Sequence, residues 1–195
     1  MKYDPDKHHR RSIRLPGYDY SSSGAYFITI CTHQRACLFG AVVDGEMQLN
    51  ECGQIVRSYW LKLPNHHSHL HLDKFVIMPN HVHGILVLTD NPVGAGFDVK
   101  ATSHSNQSLA KPAPTNASAH MKRHGIPEII RGFTTFSARC INQHRKMIGV
   151  PVWPRNYYEH IVRNDESLRR LRQYIHNNPL SWQEDQLHPA VSSKW

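Results

Sequence analysis

The chain has 195 residues, 39% of them hydrophobic, which is enough to bury the core of one compact domain. Lys and Arg number 23 against 15 Asp and Glu, giving a formal charge of +8 with the 16 histidines neutral, a balance that favours polyanionic partners, nucleic acid first among them. No apolar run reaches the roughly 18 residues that a membrane span requires, and the basic opening MKYDPDKHHRRSIRLPGYDY lacks the apolar stretch of a secretory signal, so a cytoplasmic protein without a membrane partner is expected.

Residues 1–23 carry Lys2, Lys7, Arg10, Arg11 and Arg14 among polar residues and tyrosines, and read as an exposed basic arm able to grip phosphate. A folded domain over 24–182 follows. AYFITICTH from Ala25 is β-branched and aromatic, and Leu38–Val43 with Glu46–Leu49 around Asp44-Gly45 predicts a hairpin on a type I′ turn. Asn50 is a candidate N-cap for a helix whose apolar positions Ile55, Val56, Tyr59, Trp60 and Leu63 recur at steps of three and four until Pro64-Asn65. After a turn containing His66, His67, His69 and His71, expected to be solvated, Leu70–Met78 and Val82–Leu88 predict two adjacent antiparallel strands around Pro79-Asn80-His81.

Residues 90–125 are dominated by Pro, Gly, Ser, Ala, Asn, Lys and His, and read as a mobile or disordered insertion. Pro127 opens a second amphipathic helix containing Ile129, Ile130, Phe133 and Ile141, with Arg131, Arg139, Arg145 and Lys146 toward solvent. Val150–Val162 predicts the last strand, and Asn164-Asp165-Glu166 caps a third helix that ends at Asn177-Asn178-Pro179. Residues 183–195 are left as a tail. This order suits an α+β, ferredoxin-like antiparallel sheet with helices on one face. The cysteines, Cys31, Cys37, Cys52 and Cys140, have no CxxC spacing and are expected to be buried free thiols.

Strand alternation sends His81 and His83 to one face and Val82 to the other, so two imidazoles converge as metal ligands can, although the same pattern suits polar residues on a wet face. In RRLRQYIHNNP, Tyr174 and Asn178 are four residues apart on one helix face and can both point at one ion; packing and C-capping are their plainer roles. Arg169, Arg170 and Arg172 form a solvated helix face or a screen for phosphate. WPRNYYEHIVRN interleaves Trp153, Tyr157 and Tyr158 with Arg155, His160 and Arg163, as single-stranded nucleic acid binding favours, and alternation lets only one of the two neighbouring tyrosines face a strand of DNA.

Together MPNHVHGIL, WPRNYYEH, YIHNNPL and the opening RRSIRLPGYDYSSSGAYFITICT resemble the REP-associated tyrosine transposases, a branch of the HUH single-tyrosine transposases of bacterial insertion sequences. The likeness spans nearly the whole chain except 90–125. It implies a ferredoxin-like domain that binds a DNA hairpin and cleaves and rejoins the neighbouring single strand through a 5′-phosphotyrosine link. His81 and His83 match the family's histidine pair, Tyr174 its nucleophile, and Asn178 a further ligand, here Asn where related enzymes carry Gln. The resemblance points to Mg²⁺ or Mn²⁺, and two imidazoles suit Mn²⁺ better than Mg²⁺. A monomer is expected from this branch. The competing reading is a non-catalytic binder of structured single-stranded DNA or RNA.

Overall fold

The computed structural model describes residues 14–90 and 123–191. Its main sheet has four antiparallel strands in the order β4-β5-β1-β6, formed by β1 (Gly24–Cys31), β4 (Leu70–Met78), β5 (His81–Leu88) and β6 (Tyr158–Val162). A separate hairpin, β2 (Gly40–Val43) and β3 (Glu46–Leu49), turns at Asp44 and Gly45, whose φ values of 52° and 77° are those of a type I′ turn. Helices α1 (Glu51–Leu61), α2 (Leu63–His66), α3 (Ile126–His144) and α4 (Asp165–Asn177) complete the elements. Leaving the small hairpin aside, the chain runs strand, helix, strand, strand, helix, strand, the ferredoxin-like pattern.

Both faces of the sheet are covered, which follows from how β1 and β5 alternate. Tyr26, Ile28 and Ile30 of β1 and Val82, Leu86 and Leu88 of β5 pack with Trp60 of α1 and with Ile129, Ile130 and Phe133 of α3 in the larger core. Phe27 and Ile85 point the other way and meet Leu168, Leu171 and Ile175, the apolar stripe of α4. So α1 and α3 lie on one face as expected, and the terminal helix crosses the opposite face. Asn50 caps α1 by accepting from the Gly53 N–H at 3.0 Å, and Asn164 caps α4 by accepting from Ser167 at 2.8 Å.

Several expectations are corrected. The last strand begins at Tyr158 rather than Val150, because Pro151 and Pro154 supply no N–H to a ladder. Pro64 does not end the helical run; a short helix continues through it to His66, with proline in the first turn where its missing N–H costs nothing. The histidine turn is not simply solvated: His69 is buried with Nε2 2.9 Å from the His124 carbonyl, and burial together with His124, His69 and His66 pushes the His67 imidazole down to about 4. The four thiols are free, but only Cys52 is buried and Cys37 is exposed. The described part of the N-terminal arm is packed: the Tyr18 and Tyr26 hydroxyls lie 3.2 Å apart and Ile126 N–H donates to the Tyr20 carbonyl. The expected loop over 90–125 falls almost wholly outside the described residues, as do Arg10 and Arg11.

Two contacts set how closely the layers approach. Gly84 of β5 passes over the fully buried Trp60 ring, and a Cβ there would lie 2.3 Å from Trp60 Cζ2. Gly84→Ala is therefore expected to destabilise the fold by about 1–3 kcal/mol through overpacking, measured as a lower urea midpoint at unchanged m-value; a neutral result would mean that Trp60 moves freely. On the other face, the register of β4 shifts between Leu72 and Phe75, and from this irregularity Asp73 accepts from Arg172 Nε of α4 at 3.0 Å. Burial alone would raise the Asp73 carboxyl, but the hydrogen bonds from Arg172 and from the Lys74 N–H outweigh it and hold it below its ordinary value. The pair thus contributes stability that is complete above the unfolded pKa of about 3.9 and lost as pH falls through the lower folded value. Asp73→Asn should cost about 1 kcal/mol or less at pH 7, and its deficit should shrink on acidification below about pH 3 in urea titrations; an equal deficit at both pH values would exclude the charge.

Candidate active site beneath the terminal helix

The site lies where α4 crosses β5. Cross-strand pairing puts Thr29 beside His83 and Cys31 beside His81, with Val76 and Met78 on the other flank, so the two imidazoles sit mid-sheet rather than at an edge. The sequence placed His81 in the turn, whereas it is the first residue of β5. Both rings are buried, at 0% and 2% exposure, with centroids 4.4 Å apart. Phe27 stacks on His83 at 5.4 Å and closes the floor.

Each imidazole is oriented by a partner on its Nδ1. Asn80 Nδ2 donates to the Arg35 and Leu187 carbonyls, which turns its Oδ1 toward His81 Nδ1 at 2.8 Å. An amide oxygen only accepts, so His81 is protonated at Nδ1 and its Nε2 keeps the lone pair. That lone pair faces Asn178 Oδ1 at 3.3 Å. Asn178 is itself fixed, because its Nδ2 donates to Asp185 Oδ2 at 2.8 Å. Two acceptors therefore converge with no proton between them while His81 is neutral. Burial keeps it so, pushing its pKa down to about 4 against the opposing pull of Asp185 and Asn178. For His83, burial and then His81 push the pKa well below the ordinary value. Its Nδ1 lies 2.8 Å from Thr29 Oγ1, and with Thr29 accepting there, Nε2 faces the Tyr174 hydroxyl at 3.2 Å.

Asp185 completes the cluster. One ligand atom from each of His81, His83 and Asp185 lies within 4.8 Å of the others, and all three residues are buried. Two neutral imidazoles, a carboxylate and an inward amide oxygen make an electron-rich pocket that a cation relieves, so the residues present fit a divalent metal. Tyr174 stands at the open side, 40% exposed, its phenol pushed up to about 12 by burial and then by the charges of Asp185 and Cys31.

Of the residues singled out from the sequence, His81, His83, Tyr174 and Asn178 meet in this one place. The others do not join them. Trp153 is in the core, with its indole N–H donating to Ser137 Oγ at 3.0 Å, which corrects the expectation of a stacking platform. Tyr157 is half-buried and its hydroxyl accepts from Arg14, whose Nε also donates to the buried Glu159 carboxylate at 2.8 Å. Tyr158 is the member of that pair that is exposed, at 52%, and it lies edge-on to Phe27 on the Tyr174 side of the sheet. Arg155 and Arg163 are exposed, and Arg170 is exposed beside Glu166 at 3.6 Å. Asp185 was not foreseen: it falls in the stretch read as a tail, beyond the helix and after a short 3₁₀ turn at Trp182–Glu184, and no local pattern marks it. Thr29 and Asn80 were also missed, although strand register would have paired Thr29 with His83.

No family model matches the chain. An uncharacterized protein of Haemophilus influenzae is 38% identical over 190 residues, spanning 96% of this chain and 97% of that protein. Among solved structures, a REP-associated tyrosine transposase bound to a REP hairpin is similar at a TM-score of 0.52 and 16% identity, over 90% of this chain and 77% of that one. The chain thus belongs to one family with the Haemophilus influenzae protein, and its fold is that of the REP-associated tyrosine transposase.

Proposed function

We propose that this protein is a single-strand DNA transesterase of the HUH type, which binds a hairpin and cleaves and rejoins the adjoining strand with Tyr174 as nucleophile. The observation that carries the reading is the approach of the Tyr174 hydroxyl to His83 Nε2, 3.2 Å, beside a second buried imidazole and a carboxylate. The REP hairpin held by the structural neighbour is the reason to favour a hairpin-bearing substrate.

His81, His83 and Asp185, with Asn178 beside them, would hold a divalent cation, Mg²⁺ or Mn²⁺ by the resemblance, which when bound supplies Lewis-acid polarisation of a phosphate oxygen. The chain's own residues do the rest. Helix α4 aims the phenolic oxygen into the site, and the Arg172–Asp73 pair and the stripe of Leu168, Leu171 and Ile175 hold that helix down. In the chemical step a bond forms between the Tyr174 oxygen and phosphorus while the P–O3′ bond breaks; the phenolic proton is given up and the departing 3′-oxygen ends as a hydroxyl. Attack by a 3′-hydroxyl on the phosphotyrosine reverses the step onto another end, so the phosphoester is exchanged and no nucleotide cofactor is consumed. Because Tyr174 reaches His83 of its own chain, the arrangement supports a monomer that needs no exchanged helix.

Incubated with Mg²⁺ or Mn²⁺ and a labelled single strand bearing a hairpin, the protein is expected to form an SDS-resistant adduct that chelation prevents and Tyr174→Phe abolishes. An adduct surviving in Tyr174→Phe removes that residue as nucleophile, and tight binding with no adduct in any divalent metal favours the non-catalytic binder. Asp185→Asn and Thr29→Val, one touching the cation and one positioning His83, are each expected to weaken Mn²⁺ binding about 10- to 100-fold by calorimetry. Unchanged affinity in Asp185→Asn would take the carboxylate out of the site.

A further inference from the structure

The other face of the sheet carries a second concavity. Between α1 and α3 lies a cavity of about 650 Å³, lined by Tyr59 of α1 and Lys62 just after it, by Glu128, Arg131, Gly132 and Phe136 of α3, and by neighbouring side chains. Because α4 and the histidine pair occupy the opposite face, this cavity is separated from the Tyr174 site by the sheet itself. Three features set it apart from an ordinary gap between helices.

The first is exposed aromatic surface: Phe136, on the cavity wall, is 58% exposed. The second is charge. Lys62 and Arg131 flank the aromatic walls and neither forms an ion pair among the described residues. Cations left unpaired around an apolar, aromatic-walled hollow suit a ligand that is flat at one end and anionic at the other. The third is the floor. Gly132 stands in the middle of α3, where glycine weakens a helix, and a Cβ there would meet no atom within 4 Å, so its absence leaves open space that packing does not use.

We infer that this α1–α3 cavity receives one unpaired nucleotide of the DNA strand, its base against Tyr59 and Phe136 over Gly132 and its phosphate on Lys62 and Arg131. Glu128, which also lines the cavity, offers a carboxylate to accept from an amino group of the base. A purely apolar ligand would leave both cations without a counter-charge, and a bare polyanion would make no use of the rings. The inference rests on the DNA reading above, and it gives the molecule two contacts with one strand, at opposite faces of the sheet.

The test is fluorescence anisotropy with the full chain and a labelled hairpin-bearing single strand. Phe136→Ala and Arg131→Gln, both at exposed positions and checked for folding by circular dichroism, are expected to weaken binding about tenfold each. At saturating strand they should leave the rate of adduct formation unchanged, and a strand with abasic sites along its unpaired part should lose the difference between the native chain and Phe136→Ala. Gly132→Leu, which fills the floor, should match Phe136→Ala. Unchanged affinity in the folded variants overturns the pocket while leaving the Tyr174 chemistry intact. Strand binding weakened by these variants but without any adduct keeps the pocket and removes the transesterase reading, whereas failure of the native chain to bind the strand overturns both. Displacement of the strand by free dAMP or dTMP at low concentration, with the abasic strand bound as tightly as the normal one, would reassign the cavity to a free mononucleotide and overturn its assignment to the strand.

Discussion

Strand β5 is buried on both of its faces, and its period-2 alternation divides it between two unlike environments. Val82, Leu86 and Leu88 enter an apolar core built with α1 and α3, while His81, His83 and Ile85 turn toward α4. A one-residue slip of register would carry the imidazoles into the apolar core and the valine and leucines under α4, so the same constraint that stabilises the sheet fixes the site. The alternation is enforced from both sides, by β1 through the Thr29–His83 and Cys31–His81 pairs and by the close passage of Gly84 over Trp60.

Burying two imidazoles, an amide and a carboxylate together is costly unless each has a partner. Here the outer atoms are satisfied by protein and the inner ones face one another. Asn80 and Thr29 meet the two Nδ1 positions, the Asn178 amide nitrogen and the Leu187 N–H each donate to one Asp185 oxygen, and what remains inward is a set of lone pairs: His81 Nε2, Asn178 Oδ1, the Asp185 carboxylate and the open side of His83. Such a cluster is preorganised for positive charge, its ligand atoms aimed inward by these outer partners. Tyr174 comes from an element held by side-chain packing and one ion pair rather than by the ladder, so its oxygen can adjust relative to a rigid histidine pair.

The basic surface splits in two by the same division. The arm residue Arg14 is tied to Glu159 and Tyr157, so part of the positive charge read as phosphate-binding does structural work. Arg172 does likewise with Asp73. Among the described residues, Arg155 and Arg163 are exposed outside these ion pairs, as are Lys62 and Arg131 beside the α1–α3 cavity.

What the sequence determined by itself was local and periodic. The HVH alternation gave two imidazoles on one face, the four-residue step from Tyr174 to Asn178 gave a shared helix face, Asn50 and Asn164 gave the helix starts, and Asp44-Gly45 gave the hairpin turn, because each depends on backbone geometry within a few residues. Burial or long-range contact prevails over local pattern elsewhere: Trp153 is core rather than a stacking platform, and the apolar run from Val150 is kept irregular by its prolines up to the strand at Tyr158. Only the tertiary structure decided that α4 crosses the face opposite α1 and α3, that Tyr174 meets His83 within one chain, and that Asp185 folds back beside the imidazoles. These are contacts between residues about 90 or more positions apart, set by how apolar stripes dock and how strands order themselves, and no spacing within a short window records them.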